Sequence, residues 1–169
     1  MRPVLLTFLL AGFYSSIFAQ VVSTPLSLKR DQLVLHGTLE QPSQPPDESV
    51  LVFIIQGSGP TDRDGNNPMA KNNSLKMLSA GLVELGYSTF RYDKRGVGES
   101  ILNPEKMAEQ VFENFVADAI AWKEQLEKEY AFQKVVILGH SQGSLVAALT
   151  HLESPATGII SLAGTARSA

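Results

Sequence analysis

The spacing of apolar positions changes character three times along the chain, and each change predicts a different kind of element. An unbroken apolar run, "PVLLTFLLAGFY", follows Arg2. Partial alternation replaces it in "LSLKRDQLVLHGTLEQPS", on either side of Arg30 and Asp31, and predicts two antiparallel strands joined there. A polar, proline-bearing loop, "QPPDES", then leads to "VLVFII". That last stretch is continuously apolar and rich in β-branched residues, as a central strand covered on both faces requires.

From Val50 onward, strand and helix patterns alternate. Leu75, Leu78, Leu82 and Leu85 recur at helical spacing, and Gly86 is placed to close that helix. A short strand, "STFRY", precedes a helix carrying Phe112, Phe115, Val116, Ala119 and Trp122 on one face. Then come the strand "KVVIL", a helix from about Gln142 to Leu152, and the strand "GIISLA". Such alternation implies an α/β fold, a mostly parallel sheet with helices on both faces. Ligands bind such sheets at the carboxyl ends of the strands.

Composition narrows the choice. The 169 residues suit one domain, and 44% hydrophobic with 18% charged content is ordinary globular usage. A net charge of −3 offers no basic stripe, so no nucleic-acid partner is expected. Residues 1–19 read as a secretory signal peptide, with cleavage expected after Ala19 and residues 20–169 forming the domain. Ile17 departs from the small residue preferred at its place, but the run is shorter than the ~20 residues of a spanning helix. A leader is therefore favoured over an uncleaved anchor, and the mature form is expected to be secreted or periplasmic with no membrane partner. The absence of cysteine excludes disulfides and thiolate metal sites.

The chemistry concentrates in "GHSQG", Gly139 to Gly143. A serine between two glycines, with a strand before and a helix after, is a nucleophile elbow, a turn so sharp that neighbouring side chains must vanish for the hydroxyl to stand clear. Three fixed positions at roughly 7% each recur by chance about once in twenty chains of this size, so the flanking elements carry the argument. Ser141 is thus the candidate nucleophile rather than a mere helix cap. The developing oxyanion needs donors. The backbone N–H of Gln142, at the helix start, is one candidate. The other is the N–H of Ser58, in "QGSGPTDRDGNN" after the "VLVFII" strand, where glycines let backbone approach a ligand.

Taken together, "QGSG", "RYDKRGVGES" and "GHSQG", in this order and spacing, resemble the α/β-hydrolase superfamily, and within it the serine aminopeptidase and monoacylglycerol lipase-like group of small esterases. The resemblance covers residues 50 to 164. It implies that Asp93, Arg95, Gly96, Gly98 and Ser100 shape the floor of the site, with Asp93 and Arg95 expected as a structural ion pair. Gln56 stands where the family usually has histidine.

Such a serine needs a histidine oriented by an acid. His36 lies on the early hairpin. His140 adjoins Ser141, but strand alternation is expected to direct it elsewhere. His151 lies about 15 Å up the following helix at ~1.5 Å per residue and reads as a solvated helix-end residue. None is a credible base. The resemblance implies that acid and histidine follow later strands, so the chain is expected to be the front of the fold, truncated after about the sixth strand. "GIISLA" would then be an uncovered, aggregation-prone edge.

The implied activity is hydrolysis of a carboxylic ester or related acyl bond in a small-molecule substrate, with peptidase, thioesterase and acyltransferase variants open. The alternative is a non-catalytic remnant or binding protein that keeps a partial fold. "KEQLEKEY" reads as a solvated helix face, and Asn72 to Ser74 match a glycosylation acceptor. "DRDGNN" lacks the spacing and final glutamate of a calcium loop. No cofactor or metal is expected.

Overall fold

A computed structural model describes residues 21–164 apart from positions 32, 45, 47 and 48. The expected leader, with its cleavage after Ala19, and half of the "QPPDES" loop lie outside the described residues.

Ten elements follow in order: β1 (Val21–Arg30), β2 (Leu33–Pro42), β3 (Val50–Ile55), α1 (Ser74–Glu84), β4 (Ser88–Tyr92), α2 (Pro104–Ala108), α3 (Phe112–Glu129), β5 (Lys134–His140), α4 (Gln142–Glu153) and β6 (Gly158–Leu162). The strands form one sheet in the order β1-β2-β4-β3-β5-β6. β1 and β2 are antiparallel, and β2 joins β4 antiparallel. β4, β3, β5 and β6 run parallel. The central position of β3 matches its apolar run, since Leu51 through Ile55 are all buried.

Side chains alternate across β3, and the core divides accordingly. Leu51, Phe53 and Ile55 join Phe90, Tyr92 and Trp122 in the larger cluster, beneath α3 and α4. Phe90 and Trp122 meet with ring centroids 4.8 Å apart and tilted by 53°, a favourable aromatic geometry. Val52 and Ile54 face the other way, against Leu75, Leu78 and Leu82 of α1.

Three expectations need correction. Leu85 is 75% exposed and Val83 is fully buried in its stead. Leu85 follows the last helical residue, Glu84, and so no longer lies on the face that Leu75, Leu78 and Leu82 turn to the sheet. Gly86 does close the helix, at φ 93, with its N–H donating to Val83 O and that of Tyr87 to Leu82 O. In "KEQLEKEY", Lys123 is not solvated: it is 3% exposed, paired with Glu127 at 2.8 Å and donating to Ser154 Oγ at 3.2 Å. α2 went unforeseen, being a single turn capped by the Asn103 side chain. The outermost strand, β6, pairs with β5 alone and leaves Ile159 and Ile160 exposed.

Candidate active site

Chain direction reverses sharply between β5 and α4, and Ser141 is the residue at the turn, with φ 52 and ψ −121. A non-glycine residue held there stores on the order of 1–3 kcal/mol, so surrounding contacts must impose it. The flanking glycines explain how. A Cβ on Gly139 would lie 2.2 Å from Gly143 O, and one on Gly143 would lie 2.4 Å from Ile55 O and 2.6 Å from Gln56 O. β5, α4 and the end of β3 therefore touch backbone to backbone. Three hydrogen bonds fix the turn: Ser141 N–H to Leu162 O at 2.8 Å, Ser144 N–H to Ser141 O at 3.0 Å, and Ser144 Oγ to Gly139 O at 2.8 Å. Ser141 is half-buried and Gln142, the first helical residue, is exposed. Among the described residues the Gln142 N–H has no partner, as helix geometry dictates for a first-turn donor.

The loop after β3 comes directly alongside. A Cβ on Gly57 would lie 3.3 Å from Ser141 Cβ and 3.1 Å from His140 Nδ1. Gly57, Ser58, His140 and Ser141 together line a depression of about 220 Å³, closed on its far side by Asn72, Leu75 and neighbours at the start of α1. Ser58 is exposed, and its N–H has no partner among the described residues. Gln142 does not line the depression. A larger hollow of about 440 Å³ beside α3 and α4 holds Arg30, Glu113, Glu124 and Glu153 but neither Ser141 nor Ser58.

Two side chains tie the loop to β4. Gln56 Nε2 donates to Tyr92 O at 2.8 Å, while its buried Oε1 has no partner. Lys94 Nζ donates to Gly57 O at 2.6 Å. Sequence reasoning passed over Lys94, which stands two residues beyond β4 at the unspecified position between Asp93 and Arg95.

The expected Asp93–Arg95 pair is not formed. Asp93 binds Arg63 at 2.7 Å and accepts the backbone N–H groups of Arg63 and Glu99. Arg95 turns to α3, where its NH2 group donates to Asp118 Oδ1 at 2.7 Å and its Nε to Oδ2. The hydrogen bond to Asp118 holds the Arg95 guanidinium above its ordinary pKa. Each is drawn to a distant partner, Asp93 to the loop after β3 and Arg95 to α3. Ser100 ties β2 to the segment after β4, its hydroxyl donating to Asp93 O and accepting the His36 N–H.

The histidines are placed as follows. His36 is half-buried on β2. His140 does not point away: it is exposed and shares the depression with Ser141, because the turn at Ser141 breaks strand alternation and side-chain-free Gly57 leaves room. No hydrogen bond joins it to Ser141 among the described residues. His151 is not solvated either, since it is half-buried and its Nδ1 accepts the Ala156 N–H at 3.1 Å, fastening the connection to β6. The "DRDGNN" loop is organised by Asp62, whose Oδ1 accepts from the N–H groups of Asp64 and Asn66. Asn72 does the same for Ser74. Among the described residues no three His, Asp or Glu side chains converge as a metal site would need, and no helix is long and apolar enough to cross a membrane.

A strand–elbow–helix unit in this sheet order defines an α/β-hydrolase fold, and solved structures agree. An α/β serine hydrolase without lid from Xanthomonas campestris superposes with a TM-score of 0.62 at 22% identity, over 82% of this chain and 60% of that one. A proline iminopeptidase from Mycobacterium smegmatis gives 0.60 at 18% identity, over 82% and 42%. The family model described as serine aminopeptidase, S33 matches residues 72–168, and the chain belongs to that family. Among curated relatives, the esterase EstD of Thermotoga maritima is 29% identical over 116 residues, 69% of this chain and 27% of the relative. Human monoglyceride lipase is 30% identical over 105 residues, 62% and 31%. The chain thus spans under a third of the length of these relatives.

Proposed function

We propose that the parent protein is a secreted or periplasmic serine hydrolase that cleaves a carboxylic ester or related acyl bond in a small-molecule substrate. The observation that carries this reading is the conformation of Ser141, φ 52 at the β5–α4 turn, beside a loop whose Ser58 N–H is unpartnered. Strain of this kind persists only where the surroundings enforce it. Names of the curated relatives, an esterase and a monoglyceride lipase, point to the same bond class.

In this mechanism Ser141 Oγ attacks the acyl carbon and the carbonyl oxygen becomes an oxyanion. The N–H groups of Ser58 and Gln142 receive it. The alcohol leaves, and water releases the acyl group from Ser141. A histidine takes the serine proton and an acid orients that histidine. We assign both to sequence outside these 169 residues, since no described histidine is hydrogen-bonded to Ser141. The apolar segment that opens the chain is assigned to export.

Hydrolysis of p-nitrophenyl acetate tests the reading. The 169-residue chain should turn over barely above buffer. A version extended by the codons that follow should hydrolyse the ester in a manner abolished by Ser141→Ala. Esterase activity indifferent to Ser141→Ala would sink the assignment.

A further inference from the structure

Lys94 is 8% exposed, yet no carboxylate pairs with it among the described residues. Buried lysines without an acid are uncommon because desolvating an ammonium is costly. Its one hydrogen bond goes to Gly57 O, 37 positions away in sequence, and Nζ lies 5.9 Å from the Phe115 ring centroid, within cation–π range.

The acceptor is what gives this contact meaning. Gly57 O belongs to the same peptide unit as the Ser58 N–H, and in a trans peptide those two groups point in opposite directions. Gly57 and Ser58 line the depression that holds Ser141, whereas Lys94 does not. Anchoring the carbonyl on the Lys94 side therefore turns the N–H toward the opposite side, where the depression lies. The loop carries glycine at positions 57 and 59, so little else in its own backbone would oppose a peptide flip.

We propose that Lys94 is a positioning residue for the oxyanion: its ammonium clamps the Gly57–Ser58 peptide with the Ser58 N–H facing Ser141, and polarises that N–H into a stronger donor. This rests on the serine-hydrolase reading for its consequence, but the clamp itself is a property of the folded chain. Burial lowers the Lys94 amine to about 8, so its charge can be removed by titration. The other titratable groups around it are engaged or separate: Asp93 with Arg63 and the Glu99 N–H, Arg95 with Asp118 of α3, and His140 on the far side of Gly57.

The test is carbon-detected NMR of the full chain with the Gly57 carbonyl labelled, titrated from neutral pH to above the ordinary lysine value. The clamp predicts an inflection of the Gly57 carbonyl near pH 8 that Lys94→Met removes; Lys94→Gln, which can still donate but carries no charge, removes it too while keeping the loop's fold. An unmoved carbonyl, or an inflection that survives both substitutions and so belongs to another group, would overturn the proposal. In parallel, a fluorophosphonate measures the consequence at Ser141 in the chain extended by the codons that follow, where Oγ displaces fluoride from phosphorus as its proton passes to the histidine base. Capture should slow roughly tenfold in Lys94→Met, less than the loss from deleting an oxyanion donor outright. Absence of Ser141-dependent capture in the extended chain, with the Lys94-dependent inflection intact, would count against the hydrolase reading and leave the clamp supported.

Discussion

On the Ser141 side of the depression, the backbone itself is the constraint: β5, α4 and the end of β3 touch where Gly139 and Gly143 have no side chains. On the Gly57 side, the loop is free of such contacts at Gly59 and is held by the side chains of Gln56 and Lys94 reaching to and from β4. One half of the site is therefore built by excluding atoms, and the other by adding tethers. Close packing cannot yield gradually, whereas a tether can be lost and partly replaced by water.

That contrast orders the expected effects of substitution. Gly143→Ala should be the most damaging, because its new methyl meets two main-chain oxygens that cannot rotate aside. A loss of about 3 kcal/mol, at the upper end for overpacking, is expected in urea unfolding. Gln56→Leu removes the bond to Tyr92 O but also removes the unpartnered Oε1, so a smaller loss of about 1 kcal/mol is expected. Equal losses for the two variants would erase the distinction between the halves.

Lys94 sharpens the contrast through pH. Its folded-state value is lowered by burial from 10.5 to about 8. Below pH 8 both folded and unfolded chains carry the proton, and the folded state bears the full desolvation penalty. Between pH 8 and 10.5 the unfolded chain holds more protons than the folded one, so stability rises with pH across that window. The urea midpoint of the unaltered chain should climb there relative to Lys94→Met, and parallel profiles for the two would refute it. At the far end of the scale, Gly81→Ala on the exposed face of α1 meets nothing within 4 Å and should stabilise by roughly 0.5–1 kcal/mol, read as a small upward shift in Tm.

The same division explains what could be read from the chain alone. Elbow and sheet were legible because they constrain residue types locally: a strand pattern, two glycines two residues either side of Ser141, and a helix pattern. That the segment carrying Ser58 comes to lie beside Ser141 was legible from its place after the β3 run. The ties were not, because partners lie far off in sequence and are chosen by tertiary placement. Asp93 and Arg95 sit two residues apart and invited pairing, yet each found its counterion 23 to 30 positions away. Lys94 carries no local mark at all, and His140 was misread because period-two alternation was extended through a residue whose φ ends it.

Finally, the amide of Ser141 is not held by its own turn but by Leu162 O on the sheet's outermost strand. Ser141 and the rim of the molecule thus share one bolt. Whatever lifts Leu162 from β5, be it heat, urea or a competing strand, uncovers the Ser141 amide at the same instant, while the aromatic cluster under α3 stays closed. Hydrogen exchange at that single amide is consequently a clock for the fraying of β6, and the turn at Ser141 loosens on the schedule of the periphery rather than of the core.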